Sequence, residues 1–124
     1  MKVLVVEDAA IIALDVANRV KRLGHTVTGV AATAALALEK ARETSPDIAL
    51  MDINLKGDRD GIEAASLLAD ELGIRCIFVT AYSDRGMRER ALSVRPLGYI
   101  VKPIRDAELK EALAVADAAL GAVD

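Results

Sequence analysis

The chain has 124 residues, 53% of them apolar, with 16 basic and 19 acidic side chains and a formal net charge of −3. This size predicts one domain over residues 1–124, with a core large enough to need no staples. The single cysteine excludes an intramolecular disulfide framework, the acidic balance argues against general nucleic-acid binding, and every apolar run falls far short of the ~20 residues of a membrane span.

Val3 to Val6 is the first predicted strand, apolar at every position as a strand buried on both faces should be. Asp8 or Ala9 opens a helix to about Leu23, with Ala13, Val16, Ala17 and Val20 on one face and Gly24 as its stop. Thr26 to Ala31 is a second strand, rich in β-branched residues. Thr33 caps a helix from Ala34 to about Glu43, which Ser45-Pro46-Asp47 breaks. Ile48 to Met51 is the third strand, and Asn54 to Asp60 a polar loop. A helix from about Ile62 to Glu71 ends at Gly73. Cys76 to Val79 is the fourth strand, with Cys76 expected in the core, and Asp84 to Ser93 a weakly amphipathic helix. Tyr99 to Val101 is the fifth strand. Asp106 caps a last helix to about Leu120, with Leu109, Ala112, Leu113, Ala116 and Leu120 on one face.

The order βαβαβαβαβα predicts an α/β fold, a doubly wound parallel sheet of (βα)5 type with helices on both faces. Ligands of such sheets bind at the carboxyl ends of the strands. Those ends carry Glu7 and Asp8, then Asp52 and Asn54, then Thr80, Ala81 and Tyr82, then Lys102 and Pro103. In a flavodoxin-like order, 2-1-3-4-5, three carboxylates, a hydroxyl and an ammonium would converge on one rim. Packed carboxylates repel one another, and a hard cation such as Mg²⁺ would relieve that repulsion. A carboxylate beside a metal, a hydroxyl and a lysine suits attack on a phosphoryl group to give an acyl phosphate.

Val5-Val6-Glu7-Asp8, Met51-Asp52-Ile53-Asn54-Leu55, Asp60-Gly61, Val79-Thr80-Ala81 and Gly98-Tyr99-Ile100-Val101-Lys102-Pro103 together resemble the response-regulator receiver domain, over essentially the whole chain. The resemblance implies Asp52 as phosphoacceptor, Asp8 as a direct Mg²⁺ ligand, Glu7 as an acid acting through water, and a backbone carbonyl ligand at Asn54. It implies Lys102 as the phosphate partner, Thr80 and Tyr99 as a switch pair, and a cis peptide before Pro103. Its implied partners are a sensor histidine kinase or histidine phosphotransferase and an unknown downstream protein, with no direct contact to nucleic acid or membrane. Output through the fourth helix, fifth strand and fifth helix is implied in the same way. Against the family pattern, the loop from Asp52 to Gly61 is one residue longer, with Lys56 or Gly57 where proline is usual. Tyr82 and Ala81 are modulating positions, and Tyr82 is expected to shield the acyl phosphate from water.

Plainer readings stand beside these. Thr80 and Tyr99 also read as packing residues, Tyr82 as surface packing, and Lys102 as a surface lysine. His25 reads as a solvent-exposed turn residue, Asp58 and Asp60 as loop acids, and the Arg85 to Arg90 charges as a solvated face. Val115 and Ala118 lie outside the core stripe of the last helix and read as a homodimer or partner surface or as plain exposure. The face of the fourth helix, fifth strand and fifth helix is a second place for a homodimer. A phosphatase with an aspartyl-phosphate intermediate is the enzyme rival, weakened because Asn54 stands where such enzymes need an acid. A pseudo-receiver that binds partners without phosphorylation is the other. A flavin or nucleotide binder lacks its Gly-rich loop after the first strand. With one cysteine and no signal-like segment, the expected setting is cytoplasmic, and the expected form a stand-alone receiver that is not otherwise an enzyme.

Overall fold

Strand-forming and helix-forming stretches alternate without exception in the computed structural model, which describes residues 1–81 and 84–121. The order is β1 (Lys2–Val6), α1 (Ala10–Arg22), β2 (Thr26–Ala31), α2 (Ala34–Thr44), β3 (Ile48–Met51), α3 (Gly61–Leu72), β4 (Arg75–Thr80), α4 (Arg85–Leu92), β5 (Gly98–Val101) and α5 (Asp106–Gly121). The five strands form one parallel sheet in the order β2-β1-β3-β4-β5. The expected flavodoxin-like order is therefore the observed one.

Successive strand residues point to opposite faces, so each strand feeds two cores. Leu4, Val6, Ala49, Met51, Cys76 and Phe78 pack toward alanines and Leu68 of α2 and α3. Val3, Val5, Ile48, Leu50, Ile77, Val79 and Ile100 pack toward α1 and α5, through Val16, Val20, Leu109 and Leu113 among others. The alanines of α2 (Ala34, Ala37, Ala41) are all buried, which lets that helix lie close to the sheet. By contrast, α4 buries only Ala91. Among the described residues no helix is long and apolar enough to cross a membrane.

Most helix ends obey local chemistry. Thr33 caps α2 by accepting the Leu36 N–H at 3.2 Å. Gly73 ends α3 in the left-handed conformation at φ +67°. Asp60, a loop residue outside the acidic cluster, also caps α3 in a reciprocal box with Glu63. Two expectations need correction. Asp106 is the first residue of α5 and not its cap; the Arg105 carbonyl accepts the Leu109 N–H, and the Asp106 carboxylate turns to Arg19. His25 is half-buried, its Nδ1 3.2 Å from the Met1 amino nitrogen, because the turn folds back onto the start of β1.

Cys76 is buried in β4, and burial pushes its thiol up to about 12. Thiolate is the reactive form, so a disulfide-based thiol reagent at pH 8 is expected to modify the native chain only as fast as it opens. Denaturant should release full reactivity. Rapid modification of the native protein would contradict this placement.

Candidate functional site

Strand register brings the acids together. Val6 pairs with Met51 across β1 and β3, so Glu7 and Asp52 leave neighbouring strands at one level. Backbone bonds continue past the strand ends: Asp52 N–H donates to the Val6 carbonyl at 3.0 Å, and Glu7 N–H to the Ala31 carbonyl at 2.9 Å. Asp8 follows Glu7 just before α1. One carboxylate oxygen from each of Glu7, Asp8 and Asp52 lies within 4.8 Å of the others. Glu7 and Asp52 are buried, and Asp8 is half-buried.

The ammonium arrives from β5. Thr80 pairs with Val101, and the Thr80 carbonyl accepts the Lys102 N–H at 2.8 Å. Lys102 Nζ then donates to Glu7 Oε2 and Asp52 Oδ2, each at 3.4 Å. Both bonds are long for charge-assisted pairs, so the ammonium sits between the two carboxylates without closing on either.

One ammonium faces three carboxylates, and the imbalance is visible in Glu7. Its carboxyl is pushed up to about 7, first by burial, then by its hydrogen bond with Asp52 and by the Asp52 charge; the Ala9 N–H and Lys102 oppose the rise. The donors are all hard carboxylate oxygens, clustered closely enough to share one ion. This set fits a hard divalent cation and would be relieved by one.

Asn54 is exposed, and its N–H donates to Asp52 Oδ1 at 3.2 Å, which orients the carboxylate. Thr80 is fully buried at the last position of β4, and Ala81 after it is exposed. The Lys102–Pro103 peptide is cis. Tyr99 is half-buried and pairs in register with Phe78, their ring centroids 6.2 Å apart at an interplanar angle of 59°. Burial raises the Tyr99 hydroxyl above its ordinary value, and Asp84 adds to the rise while Arg88 opposes it. Tyr82 lies outside the described residues.

Several residues matter here that sequence reasoning left idle. The Arg88 guanidinium stands over the Tyr99 ring, 5.1 Å from its centroid, and Arg90 pairs with Asp60 at 3.2 Å. Two arginines of the charged face of α4 are thus engaged, while the Arg90 side chain stays 53% exposed. Gly61 at the start of α3 sits directly on the backbone behind Asp52. A Cβ there would stand 2.0 Å from the Asp52 carbonyl oxygen and 2.7 Å from Ile53 Cα. The Asp60–Glu63 spacing was a readable capping signal; the close approach at Gly61 had none.

A parallel sheet with acids at the ends of β1 and β3, and a lysine after β5, defines a class. The sequence model of the response regulator receiver domain matches residues 3–114, and the chain belongs to that family. It is similar to the transcriptional regulatory protein PdtaR of Mycobacterium tuberculosis, 35% identical over 115 residues that cover 93% of this chain and 56% of that protein. It is also similar to the chemotaxis protein CheY of Thermotoga maritima, 30% identical over 113 residues that cover 90% of this chain and 93% of that one. Among solved structures, it resembles the signal receiver domain of a modulated diguanylate cyclase from Desulfovibrio desulfuricans G20. That likeness has a TM-score of 0.91 and 34% identity, and it covers 99% of this chain and 98% of the other. The chain spans little more than half the length of PdtaR, at 56%. It is a receiver domain of the two-component response-regulator kind.

Proposed function

We propose that residues 1–124 act as one receiver domain that takes a phosphoryl group onto Asp52 from a phosphohistidine, on a sensor histidine kinase or histidine phosphotransferase. The observation that carries this reading is the Asp52 carboxylate, held by the Asn54 N–H, with Glu7 and Asp8 on one side and Lys102 3.4 Å away. An Asp52 oxygen attacks phosphorus, the P–N bond breaks, and the imidazole leaves with the electron pair. Lys102 leaves its long bonds to Glu7 and Asp52 to neutralise the phosphoryl oxygens. Mg²⁺, held by Glu7, Asp8, Asp52 and the Asn54 carbonyl, would supply further positive charge to those oxygens.

The Thr80 hydroxyl then turns to the phosphoryl group and Tyr99 turns inward, shifting a two-state equilibrium that a downstream protein reads. Ala81 and Tyr82 modulate the loss of the phosphoryl group, and the role assigned to Tyr82 is to shield the acyl phosphate from attacking water. Water attack releases inorganic phosphate, so the chain turns over only its own phosphoryl group. The setting is cytoplasmic. Homodimers through α5, or through the α4–β5–α5 face, belong to the same proposal.

Incubation with acetyl phosphate followed by intact-mass measurement tests it. One added phosphoryl group is expected, dependent on Mg²⁺ and absent from Asp52→Asn. A beryllofluoride binding measurement covers the case of rapid hydrolysis. A chain that takes neither group would reject phosphoacceptance, and repeated turnover of a phosphomonoester would favour the phosphatase instead.

A further inference from the structure

Lys102 works only if its ammonium is held beside Asp52, yet the chain after it leaves the sheet at once. Beyond Lys102 come Pro103, Ile104 and Arg105, and α5 begins at Asp106. Among the described residues the ammonium makes two contacts, both at 3.4 Å. The Lys102 N–H bond to the Thr80 carbonyl at 2.8 Å ties the start of this segment to β4, and Ile104 to Asp106 need a hold of their own relative to the acids.

Arg19 of α1 meets that need. Its Nη1 donates to the Ile104 carbonyl at 2.9 Å and to Asp106 Oδ1 at 3.0 Å. Its Nε donates to Asp15 Oδ2 at 3.0 Å, one turn earlier on the same helix. Asp15 therefore holds the planar guanidinium in place, and the fork reaches across to two acceptors on the other element. The helix that carries Arg19 begins at Ala10, directly after Glu7 and Asp8. The guanidinium thus cross-braces the segment bearing two of the acids to the segment bearing the lysine. Its side chain is 25% exposed, against 53% for Arg42 in the pair it makes with Glu71.

We infer that Arg19 is a positioning residue for Lys102, setting where the ammonium stands relative to Asp52. This rests on the receiver chemistry proposed above. The two carboxylate partners of Arg19 are 55% and 66% exposed, so these ion pairs add little stability and the brace acts chiefly on geometry. A misplacement of about 1 Å at a reacting group can slow chemistry by ~10²-fold, and a partial displacement of Lys102 should slow it by roughly 10-fold.

The test compares wild type, Arg19→Ala, Arg19→Lys and Arg42→Ala. Phosphorylation by acetyl phosphate is followed at saturating Mg²⁺, and Mg²⁺ binding is measured separately by calorimetry without a phosphodonor. Arg19→Ala should lower the maximal rate about 10-fold while Mg²⁺ binds equally well or more tightly, because a displaced ammonium repels the cation less. Arg19→Lys should not rescue the rate, since one compact ammonium cannot serve the three acceptors in a planar fork. Arg42→Ala, which removes an exposed pair away from the site, should match wild type.

An Arg19→Ala chain as fast as wild type would overturn the inference. So would a slow one that also binds Mg²⁺ more weakly, which is the mark of general loosening around Glu7 and Asp8. A wild-type chain that takes no phosphoryl group would overturn the receiver chemistry and this role together. Normal wild-type phosphorylation with an unaffected Arg19→Ala removes the role of Arg19 alone.

Discussion

Gly61→Ala is expected to lose both stability and phosphoacceptance. The new Cβ would lie 2.0 Å from the Asp52 carbonyl oxygen and 2.7 Å from Ile53 Cα. Both neighbours are backbone, so no side-chain rotation relieves the clash. The Gly61 N–H also donates to the Ile53 carbonyl at 2.7 Å, which holds the two segments together. Either α3 must retreat or the chain carrying Asp52 must shift. Overpacking of this kind typically costs about 1–3 kcal/mol, and backbone neighbours place it at the upper end. A shift of the Asp52 carboxylate by about 1 Å would slow phosphorylation by ~10²-fold.

Gly73→Ala separates the two effects. Gly73 has φ +67° and open space around its Cβ position. Alanine there carries a left-handed backbone penalty of about 1–2 kcal/mol without touching the site. Thermal melts should show both variants destabilised, while acetyl phosphate labelling should slow only in Gly61→Ala. A Gly61→Ala chain with normal melting and normal labelling would show that α3 can move away from Asp52 freely.

Lys102→Ala is expected to slow phosphorylation by at least ~10²-fold, the loss typical of removing one charge-stabilising donor. Lys102 is the cation paired with Asp52 among the described residues. Without it, the equatorial oxygens of the transferring group lose a positive partner. Metal binding should move the other way. Removing an ammonium from beside Glu7 and Asp52 removes a repulsion toward a divalent cation, so Mg²⁺ should bind as well or better. Lys102→Arg should not restore the rate, because a planar fork does not occupy the position of a compact ammonium. The measurement pairs labelling rates with calorimetric Mg²⁺ titration. Equal loss of both would indicate collapse of the site in place of a missing charge.

These two predictions differ in how much of their basis could be read beforehand. Lys102 and Asp52 stand at the ends of short apolar strands, and such runs announce buried parallel strands by composition alone. The helices between them carry a 3.6-residue apolar stripe, so their core faces were legible too. Expected and observed bounds agree to within one or two residues along the chain, from Thr26–Ala31 to Ile48–Met51. The Thr33 cap was readable for the same local reason. The Asp60–Glu63 box was equally readable, since its spacing marks a helix start at the end of the loop.

Close approaches and long-range braces were not legible. Arg19 meets Ile104 and Asp106 across separations of 85 and 87 residues, and nothing in its local pattern marks it. The stacking of Arg88 on Tyr99 likewise depends on how α4 lies against β5. Asp-Gly at positions 60 and 61 reads as a turn, while its exacting feature is the backbone behind it.

The sequence by itself determined the alternation of strands and helices, the apolar faces, and which acids, hydroxyl and lysine follow the strands. These depend on periodicity and propensity, which act over a few residues. Only the tertiary structure decided that Lys102 stands 3.4 Å from both Glu7 and Asp52, and that burial and Asp52 push Glu7 up to about 7. It alone decided that Gly61 leaves no room for a side chain and that Arg19 ties α1 to the segment after Lys102. Distances, desolvation and steric exclusion arise between segments far apart in the chain, and they exist only once strand register and helix packing have brought those segments together.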